Sequence, residues 1–347
     1  MSSPLKAAPS SQGLSSKARL LFHLREKKGE VISGSILAKN LQISRVAVWK
    51  TVQSLIESGY SIETKETGYL LDPEKEKDFL YPWEFAERES LFYHYNNTSS
   101  TMDRARDLAL RGAVGGTVIT ADKQSAGRGR NGRTWVSRQG GLYFTVLERP
   151  RLTIADYTQL SLVTQIAVTR CISFFCGKRA YLRWPNDIYI DRRKIAGVTT
   201  EIYGEGDLVK WISVGVGVNV NNTSPSGKAA ACAEITGRQI SRRDVLEKII
   251  DEIENVKKTF ISTAVYFQGS RALADEWNSM SDCIGAKVAV FEHENNDENY
   301  SVEKPGRVFA KGTFAGIDPA GRCILKTEGT KGSLYFNQGS VSIAFLK

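Results

Sequence analysis

The chain has 347 residues, a hydrophobic share of 41% and a formal net charge of +9, which together predict two or three domains with substantial cores. The positive charge favours a polyanionic partner, either nucleic acid or nucleotide. Five widely spaced cysteines without a C-x-x-C pair and only three histidines argue against a disulfide scaffold, a zinc ribbon, a histidine metal cluster and a Ser-His-Asp triad.

At the N-terminus the sequence changes from a polar tail to a compact helical pattern. Residues 1–16 are rich in serine, alanine and proline and predict a disordered tail. Residues 17–72 have the apolar spacing of three helices, the second capped by Ser33 and the third capped by Ser44 and ended by Gly59. Two short strands joined by a turn follow and complete the pattern of a winged helix-turn-helix domain.

The third helix of this domain carries the residues that would meet DNA, because the second helix of a helix-turn-helix pair enters the major groove. Its N-terminal end is where side chains reach base edges, and lysines farther along are placed to contact phosphate. A module for protein contacts is the alternative, but ten Lys and Arg against six Asp and Glu in residues 1–72 favour DNA. The candidate DNA-binding residues are Ser44, Arg45, Lys50, Thr51 and Lys65.

A change in composition marks the entry into a second domain. Residues 73–90 are charged, contain two prolines and predict a linker into a central domain at residues 91–282. Early in that domain a predicted strand leads to Thr98-Ser99-Ser100-Thr101, which precedes a helix with an apolar face. One of these hydroxyl side chains is expected to cap the helix.

A glycine- and arginine-rich loop between two predicted strands is the most distinctive stretch of the central domain. It reads Gly127-Arg128-Gly129-Arg130-Asn131-Gly132-Arg133. Glycines let a backbone approach a ligand closely and arginines supply forked cationic donors, so this loop suits an anion such as a polyphosphate. A solvated basic hairpin and a loose RNA-binding segment are the alternatives. Trp135 ends the loop with an aromatic anchor that a solvated turn would not need.

The rest of the chain alternates an apolar helix with short strands. Residues 155–176 predict a core helix, and since no run of 18 apolar residues occurs, we expect a cytoplasmic protein with reduced thiols and no membrane partner. Strands between Tyr181 and Val220 predict a meandering antiparallel sheet. Lys194 begins one of these apolar strands and is either a solvated edge lysine or a ligand for an anion. Residues 283–347 predict a small β-barrel.

Five motifs in this order resemble the biotin protein ligase family, and the whole layout resembles its larger members, which are both ligases and biotin-operon repressors. The motifs are Ser100-Thr101, the loop 127–135, Trp184-Pro185-Asn186-Asp187, Lys194-Ile195-Ala196-Gly197 and Gly215-Val216-Gly217-Val218-Asn219. The resemblance implies an α+β chain: a winged helix-turn-helix, a central mixed, mainly antiparallel sheet flanked by helices as in class II synthetases, and a C-terminal SH3-like β-barrel.

The same resemblance implies a two-step reaction that uses ATP, biotin and the Mg²⁺ that accompanies ATP. Biotin is activated as biotinyl-5'-AMP and passed to a lysine of a biotin carboxyl carrier protein. No resident metal is expected. The implied catalytic residues are Lys194, Arg128 and Arg130. Those implied for biotin are Ser100, Thr101, Gln124, Gly127, Arg128, Lys194 and Gly197, and those for the adenylate are Arg130, Arg133, Trp135, Asn186, Asp187 and Asn219.

The sequence departs from the family pattern at two positions. Met102 stands where relatives often have asparagine, and Arg183 stands where many have lysine, so Arg183 is given no site role. Three other functions stay open: a lipoate–protein ligase, a winged-helix sensor of biotinyl-AMP without transfer activity, and a ligase that no longer binds an operator. A homodimer is also an open arrangement.

Overall fold

A computed structural model describes residues 14–27, 29–150, 158–206, 208–224, 226–260, 266–292, 307–327, 332–338 and 341–346. The chain divides into two compact units, Met1–His94 and Tyr95–Lys347. Most of the predicted tail, residues 1–13, lies outside the described residues.

The first unit has the predicted winged helix-turn-helix order. Its elements are α1 (Ser16–Glu26), α2 (Gly34–Leu41), α3 (Arg45–Glu57), β1 (Ile62–Lys65) and β2 (Gly68–Leu71). The hydroxyl groups of Ser33 and Ser44 accept hydrogen bonds from backbone N–H groups in the first turns of α2 and α3, as predicted. Gly59 has a φ of +97° after α3, a conformation that favours glycine. The inner face of α3 (Val48, Val52 and Leu55) is completely buried.

The segment predicted as a linker packs against this unit through aromatic side chains. Residues 73–91 form three short 3₁₀ turns, and Phe79, Tyr81 and Trp83 border the apolar core. The rings of Tyr81 and Trp83 stack with centroids 4.7 Å apart. The indole N–H of Trp83 donates to the hydroxyl of Tyr60 at 2.9 Å. These contacts make the segment part of the folded module.

The second unit contains five helices and most of the strands among the described residues. The helices are α4 (Thr101–Leu110), α5 (Thr158–Cys176), α6 (Cys232–Thr236), α7 (Arg242–Phe260) and α8 (Tyr266–Ser279). The strands of the large sheet are β3 (Phe92–Thr98), β4 (Thr117–Gln124), β5 (Leu142–Glu148), β6 (Tyr181–Arg183), β7 (Asp187–Ile190), β8 (Arg193–Glu205) and β9 (Leu208–Val218). The C-terminal strands are β10 (Lys287–Glu292), β11 (Val308–Ile317), β12 (Cys323–Thr327), β13 (Ser333–Phe336) and β14 (Val341–Phe345).

The large sheet has the strand order β3-β4-β5-β9-β8-β7-β6. Pairing from β4 through to β6 is antiparallel throughout. The register aligns Asp187 of β7 with Gly197 of β8, and Gly197 with Gly217 of β9. Two small residues in neighbouring central strands leave a shallow depression on the sheet, bordered on one side by a carboxylate.

Helix α5 is the central core element of this unit. It is long and apolar enough to cross a membrane, with a mean hydropathy of 1.3, but 78% of that stretch is buried inside the protein. The indole N–H of Trp277 in α8 donates to the side-chain oxygen of Gln165 in α5 at 2.8 Å, so the buried amide oxygen of Gln165 has a hydrogen-bond donor. All five cysteines are free and buried, as predicted.

The C-terminal strands form a five-stranded antiparallel sheet with the order β13-β12-β11-β10-β14. Among the described residues its outer strands, β13 and β14, do not pair with each other. The predicted α+β class, with a winged helix-turn-helix, a central sheet and a C-terminal β-domain, is confirmed.

Candidate active site

A cavity of about 320 Å³ lies between the sheet, the N-terminal end of α4 and the glycine–arginine loop. It brings together eleven of the thirteen residues predicted for catalysis and ligand binding, although they span almost a hundred positions of sequence. They are Ser100, Thr101, Gln124, Arg128, Arg130, Arg133, Trp135, Asn186, Asp187, Lys194 and Gly197. A second cavity of about 660 Å³ shares Gln124 with the first but contains none of the loop arginines.

The loop that covers the cavity is an ordered hairpin. The N–H of Trp135 donates to the carbonyl of Gly127 at 2.8 Å, and the N–H of Gly129 donates to the carbonyl of Arg133 at 2.7 Å. A 3₁₀ turn at Arg130–Gly132 forms its tip. Glycine is required at position 127, where the two ends of the hairpin meet, because an added Cβ would lie 2.5 Å from the Trp135 carbonyl oxygen.

Trp135 lies over the depression in the sheet. A Cβ added to Gly217 would be 2.5 Å from the indole ring, and one added to Gly197 would be 3.2 Å from it. The indole Nε1 is buried and has no hydrogen-bond partner among the described residues. A flat aromatic surface against two glycines can accommodate another flat ring system, such as a nucleobase, by a small displacement.

Lys194 projects from a firmly held backbone. Its N–H donates to the carbonyl of Lys228, and its own carbonyl accepts from the N–H of Ala230, both at 2.9 Å. Its ammonium group lies 2.6 Å from the Asp187 carboxylate and 5.2 Å from the centre of the Trp135 ring. The lysine is therefore a partly buried cation inside the cavity, and the solvated edge position is not adopted.

The cavity is also lined by Ser100, Thr101 and Gln124, and the last two belong to a hydrogen-bonded chain of hydroxyl and amide groups that continues behind the lining. Thr145 donates to the Thr101 hydroxyl at 2.8 Å, and Thr101 in turn donates to the Gln124 carbonyl oxygen at 3.2 Å. The Gln124 amide nitrogen donates to Ser137 at 2.8 Å, which fixes its orientation. The Ser100 hydroxyl caps α4 by accepting from the Met102 N–H, the capping role predicted for this run. These groups suit a neutral polar ligand such as a urea ring.

Arg128 is held by carboxylates on two other elements. Its guanidinium is 2.6 Å from Asp103 of α4 and 3.6 Å from Glu201 of β8. The hydrogen bond that Arg128 donates to the Asp103 carboxylate raises the pKa of Arg128 above its ordinary value. Burial alone would raise the pKa of Asp103, but hydrogen bonds from Arg128 and Ser99 outweigh it and lower that pKa.

Replacing Arg128 with alanine is expected to raise the pKa of Asp103, because the largest contribution that lowers it disappears. Because its pKa is lowered in the folded state, Asp103 stabilises the fold at pH values above 3.8, its ordinary pKa. This stabilisation is lost as the pH falls through the lowered pKa of the folded state. A carboxyl NMR titration measures the shift. Lys210→Ala, at the far end of β8 and β9, should leave the Asp103 titration unchanged, and an unaltered pKa in Arg128→Ala would contradict the ion pair.

Two predicted residues do not line the cavity. Gly127, the first residue of the loop, is buried. Asn219 is 2% exposed, and its side-chain oxygen accepts from the amide of Asn222 at 3.0 Å. Asn186 lines the cavity, but its amide also donates to the carbonyl of Val198 and ties the turn before β7 to β8. The ligand roles of these three residues, like those of the other ten, stay predictions.

Several lining residues were missed by the sequence analysis. Arg183 forms a bidentate ion pair with Asp282, at 3.1 and 2.8 Å, and stacks on Tyr189 with its guanidinium carbon 4.3 Å from the ring centre. Met102 and Ile343 add apolar surface. The role of Gly217 in the cavity wall could have been predicted from the sequence, because alternating glycines in a central strand indicate close approach of another group. Among the described residues no group of three His, Cys, Asp or Glu could hold a metal ion.

The candidate DNA-binding residues occupy the positions expected of them in the first unit. Arg45 and Lys50 are exposed on α3. The Ser44 hydroxyl caps that helix, and the Thr51 hydroxyl donates to the Ala47 carbonyl at 2.9 Å. Lys65, on the wing, is paired with Glu63 at 2.6 Å, an exposed pair of small energetic weight.

Comparison with known proteins identifies both parts of the chain. Residues 95–219 match the model of the Biotin/lipoate A/B protein ligase family, and residues 17–70 match an HTH domain. The Bifunctional ligase/repressor BirA of Bacillus subtilis is 35% identical over 234 residues, which cover 64% of this chain and 72% of that protein. The chain belongs to the biotin/lipoate A/B protein ligase family.

Other members of the biotin/lipoate A/B protein ligase family extend the likeness over more of the chain. The Bifunctional ligase/repressor BirA of Escherichia coli is 26% identical over 312 residues, covering 87% of this chain and 90% of that protein. The solved structure of biotin protein ligase from Aquifex aeolicus in complex with biotin and ATP superposes with a TM-score of 0.57 at 26% identity. That likeness covers 74% of this chain and 99% of the solved one. The resemblance to biotin ligases with an N-terminal helix-turn-helix is confirmed.

Proposed function

We propose that this chain is an ATP-dependent biotin protein ligase that forms biotinyl-5'-AMP and transfers biotin to a lysine of a biotin carboxyl carrier protein. The observation that carries the proposal is that one cavity, of about 320 Å³, is lined by Lys194, three loop arginines and the hydrogen-bonded Thr101 and Gln124 side chains. A carboxylic acid with a urea ring and a nucleoside triphosphate present the complementary groups. Biotin and ATP are the ligands of the Aquifex aeolicus relative.

The first step joins two anions and therefore needs positive charge between them. A biotin carboxylate oxygen attacks the α-phosphorus of ATP, the bond to the bridging oxygen breaks, and pyrophosphate leaves with its electron pair. We assign Lys194 to neutralise the carboxylate and the α-phosphate together, and Arg130 and Arg133, which also line the cavity, to bind the other phosphates. Each such donor contributes on the order of 3 kcal/mol to transition-state stabilisation. No enzyme nucleophile is needed.

The second step releases AMP. The neutral amine of a carrier lysine attacks the acyl carbon of the mixed anhydride, an amide bond forms as the nitrogen releases a proton to solvent, and AMP departs with the electron pair of the broken C–O bond. The anhydride must be kept from water until the carrier arrives. The hairpin 127–135 covers the cavity and supplies that protection, with Trp135 and Asn219 proposed to hold the adenine.

Mg²⁺ would enter with ATP and neutralise charge on the phosphates. Asp187 is the one carboxylate that lines the cavity among the described residues, and the oxygen of Asn186 is next to it in sequence. Two such oxygen donors fit a magnesium ion held mainly by phosphate and water. The ammonium of Lys194 already occupies one side of Asp187, which limits the contribution of this carboxylate.

The N-terminal unit is proposed to bind operator DNA, so that the same chain is also a biotin-responsive repressor. The HTH match, the exposed Arg45 and Lys50 on α3 and the surplus of cations in residues 1–72 support this. A homodimer bound to two half-sites and a cytoplasmic location would accompany this role.

The ligase proposal is tested by incubating the protein with ATP, Mg²⁺, biotin and a purified carrier domain. We expect the carrier to gain one biotin on a lysine and AMP to appear in equal amount, as measured by mass spectrometry. Lipoate in place of biotin is expected to give no product. Failure to consume ATP with biotin present would contradict the proposal, whereas consumption without transfer would indicate a sensor.

Replacing Arg130 with alanine is expected to slow adenylate formation and to raise the release of free biotinyl-5'-AMP about tenfold. The reason is that the arginine closes the loop over an anionic intermediate. Release is measured by chromatography of the reaction without a carrier domain. Arg238→Ala, which removes an arginine that does not line the cavity, is the control. Unchanged leakage in Arg130→Ala would contradict the role of the loop as a lid.

A further inference from the structure

The outward face of α3 combines cations with exposed apolar side chains. Val46 is 63% exposed and Trp49 is 51% exposed, and they lie three residues apart, so their side chains are neighbours on the helix surface. Arg45 and Lys50 flank them and are also exposed. The buried residues Val48, Val52 and Leu55 occupy the opposite face. The first acidic residue of α3 is Glu57, at its last position.

Leaving the apolar side chains of this face exposed to water is unfavourable. Single exposed apolar residues are common, but a valine and a tryptophan at neighbouring positions on the surface of a short helix form an apolar patch that favours a partner. An apolar protein surface would have to desolvate Arg45 and Lys50, which is costly without acids opposite them. The major groove of DNA offers both an anionic backbone and apolar groups, so charge complementarity favours DNA.

On the basis of the proposed operator binding, we infer that Val46 and Trp49 read thymine through its C5-methyl group. This methyl is the apolar group on the major-groove edge of the four bases. The neighbouring Arg45, at the N-terminal end of α3, reaches the hydrogen-bonding edge of an adjacent base. The face therefore selects a site in which one or more thymines adjoin a base pair read by a cation.

The test compares thymine with uracil, which differ by this methyl group. The full-length protein, supplied with biotin and ATP, is used to select its preferred duplex from a random-sequence pool. Each thymine of that duplex is then replaced by deoxyuracil, and affinity is measured by fluorescence anisotropy at fixed salt. We expect at least one replacement to raise the dissociation constant about fourfold, which is the change that the loss of one methyl group from apolar contact produces.

Alanine variants of Val46 and Trp49 test whether these two residues cause the discrimination between thymine and uracil. Val46→Ala and Trp49→Ala should bind the thymine duplex more weakly and should lose most of the discrimination against uracil. Val114→Ala removes an equally exposed valine outside the N-terminal unit, 59% exposed, and should keep the fourfold discrimination. The wild-type comparison needs no variant, so poor folding of Trp49→Ala does not weaken the test.

The outcomes distinguish thymine recognition by Val46 and Trp49 from the proposed DNA binding itself. Equal affinity of the wild-type protein for thymine and uracil duplexes overturns the inference while leaving operator binding intact. Discrimination that persists in both Val46→Ala and Trp49→Ala overturns the assignment to these residues. Failure to select any duplex refutes the proposed DNA binding, and the inference with it.

Discussion

Replacing Lys194 with alanine is expected to lower the rate of biotin adenylation by two to three orders of magnitude, or about 3–4 kcal/mol of transition-state stabilisation. The ammonium group of Lys194 reaches the cavity from strand β8, and it lies 2.6 Å from Asp187. Its loss leaves the biotin carboxylate and the α-phosphate facing each other without charge compensation, and leaves Asp187 to add a third negative charge.

Biotin-dependent exchange of pyrophosphate into ATP measures this step without a carrier protein. Lys210→Ala is the matched control, because Lys210 forms a similar pair with Glu205, at 2.9 Å, at the far end of the β8–β9 hairpin. Exchange in Lys210→Ala should be within twofold of the wild-type rate. If Lys194→Ala retained a third of the activity, this residue would not be the bridging cation.

Replacing Gly217 with valine is expected to raise the KM for ATP by about 10- to 100-fold. The new side chain would occupy the position of the Trp135 indole, since even a Cβ would lie 2.5 Å from that ring. Displacing the ring removes the surface on which adenine is proposed to stack, an interaction of about 1–3 kcal/mol. Valine suits a central β-strand, so the fold should be retained.

Steady-state kinetics at saturating biotin measure this change, and thermal unfolding checks the fold. Gly227→Val is the matched control, because no heavy atom lies within 4 Å of a Cβ built there. Trp135→Ala should raise the KM for ATP similarly, and the double variant should be no worse than either single one, because both remove one contact. Additive effects would show that Gly217 acts independently of Trp135.

Local features of this chain could be predicted from the sequence because they depend on residues close together. The caps at Ser33, Ser44 and Ser100 each need one hydroxyl group and a following helix. The loop 127–135 was recognisable as a distinct loop between two strands from its glycines, arginines and one tryptophan, and its ligand-binding role stays a prediction. The Lys194 motif was recognisable for the same reason.

Contacts between distant segments could not be predicted. The alignment of Asp187 with Gly197 depends on a shift of register between Ile188 and Tyr189, which no local pattern specifies. The position of Arg183 is determined by Asp282, ninety-nine residues later in the chain. The segment 73–90 was interpreted as a linker from its charge and prolines, although Phe79, Tyr81 and Trp83 at alternate positions were a signal of burial.

The two backbone hydrogen bonds of Lys194 make this part of β8 a rigid wall of the cavity. Because Lys228 and Ala230 hold that backbone from the same neighbouring segment, the ammonium group can move only through its own side-chain torsions. Engineering this enzyme for unnatural carboxylic acids should therefore leave strands β8 and β9 intact. Diversity is better introduced at Met102, where a new tail or ring can be accommodated without moving the fixed charge.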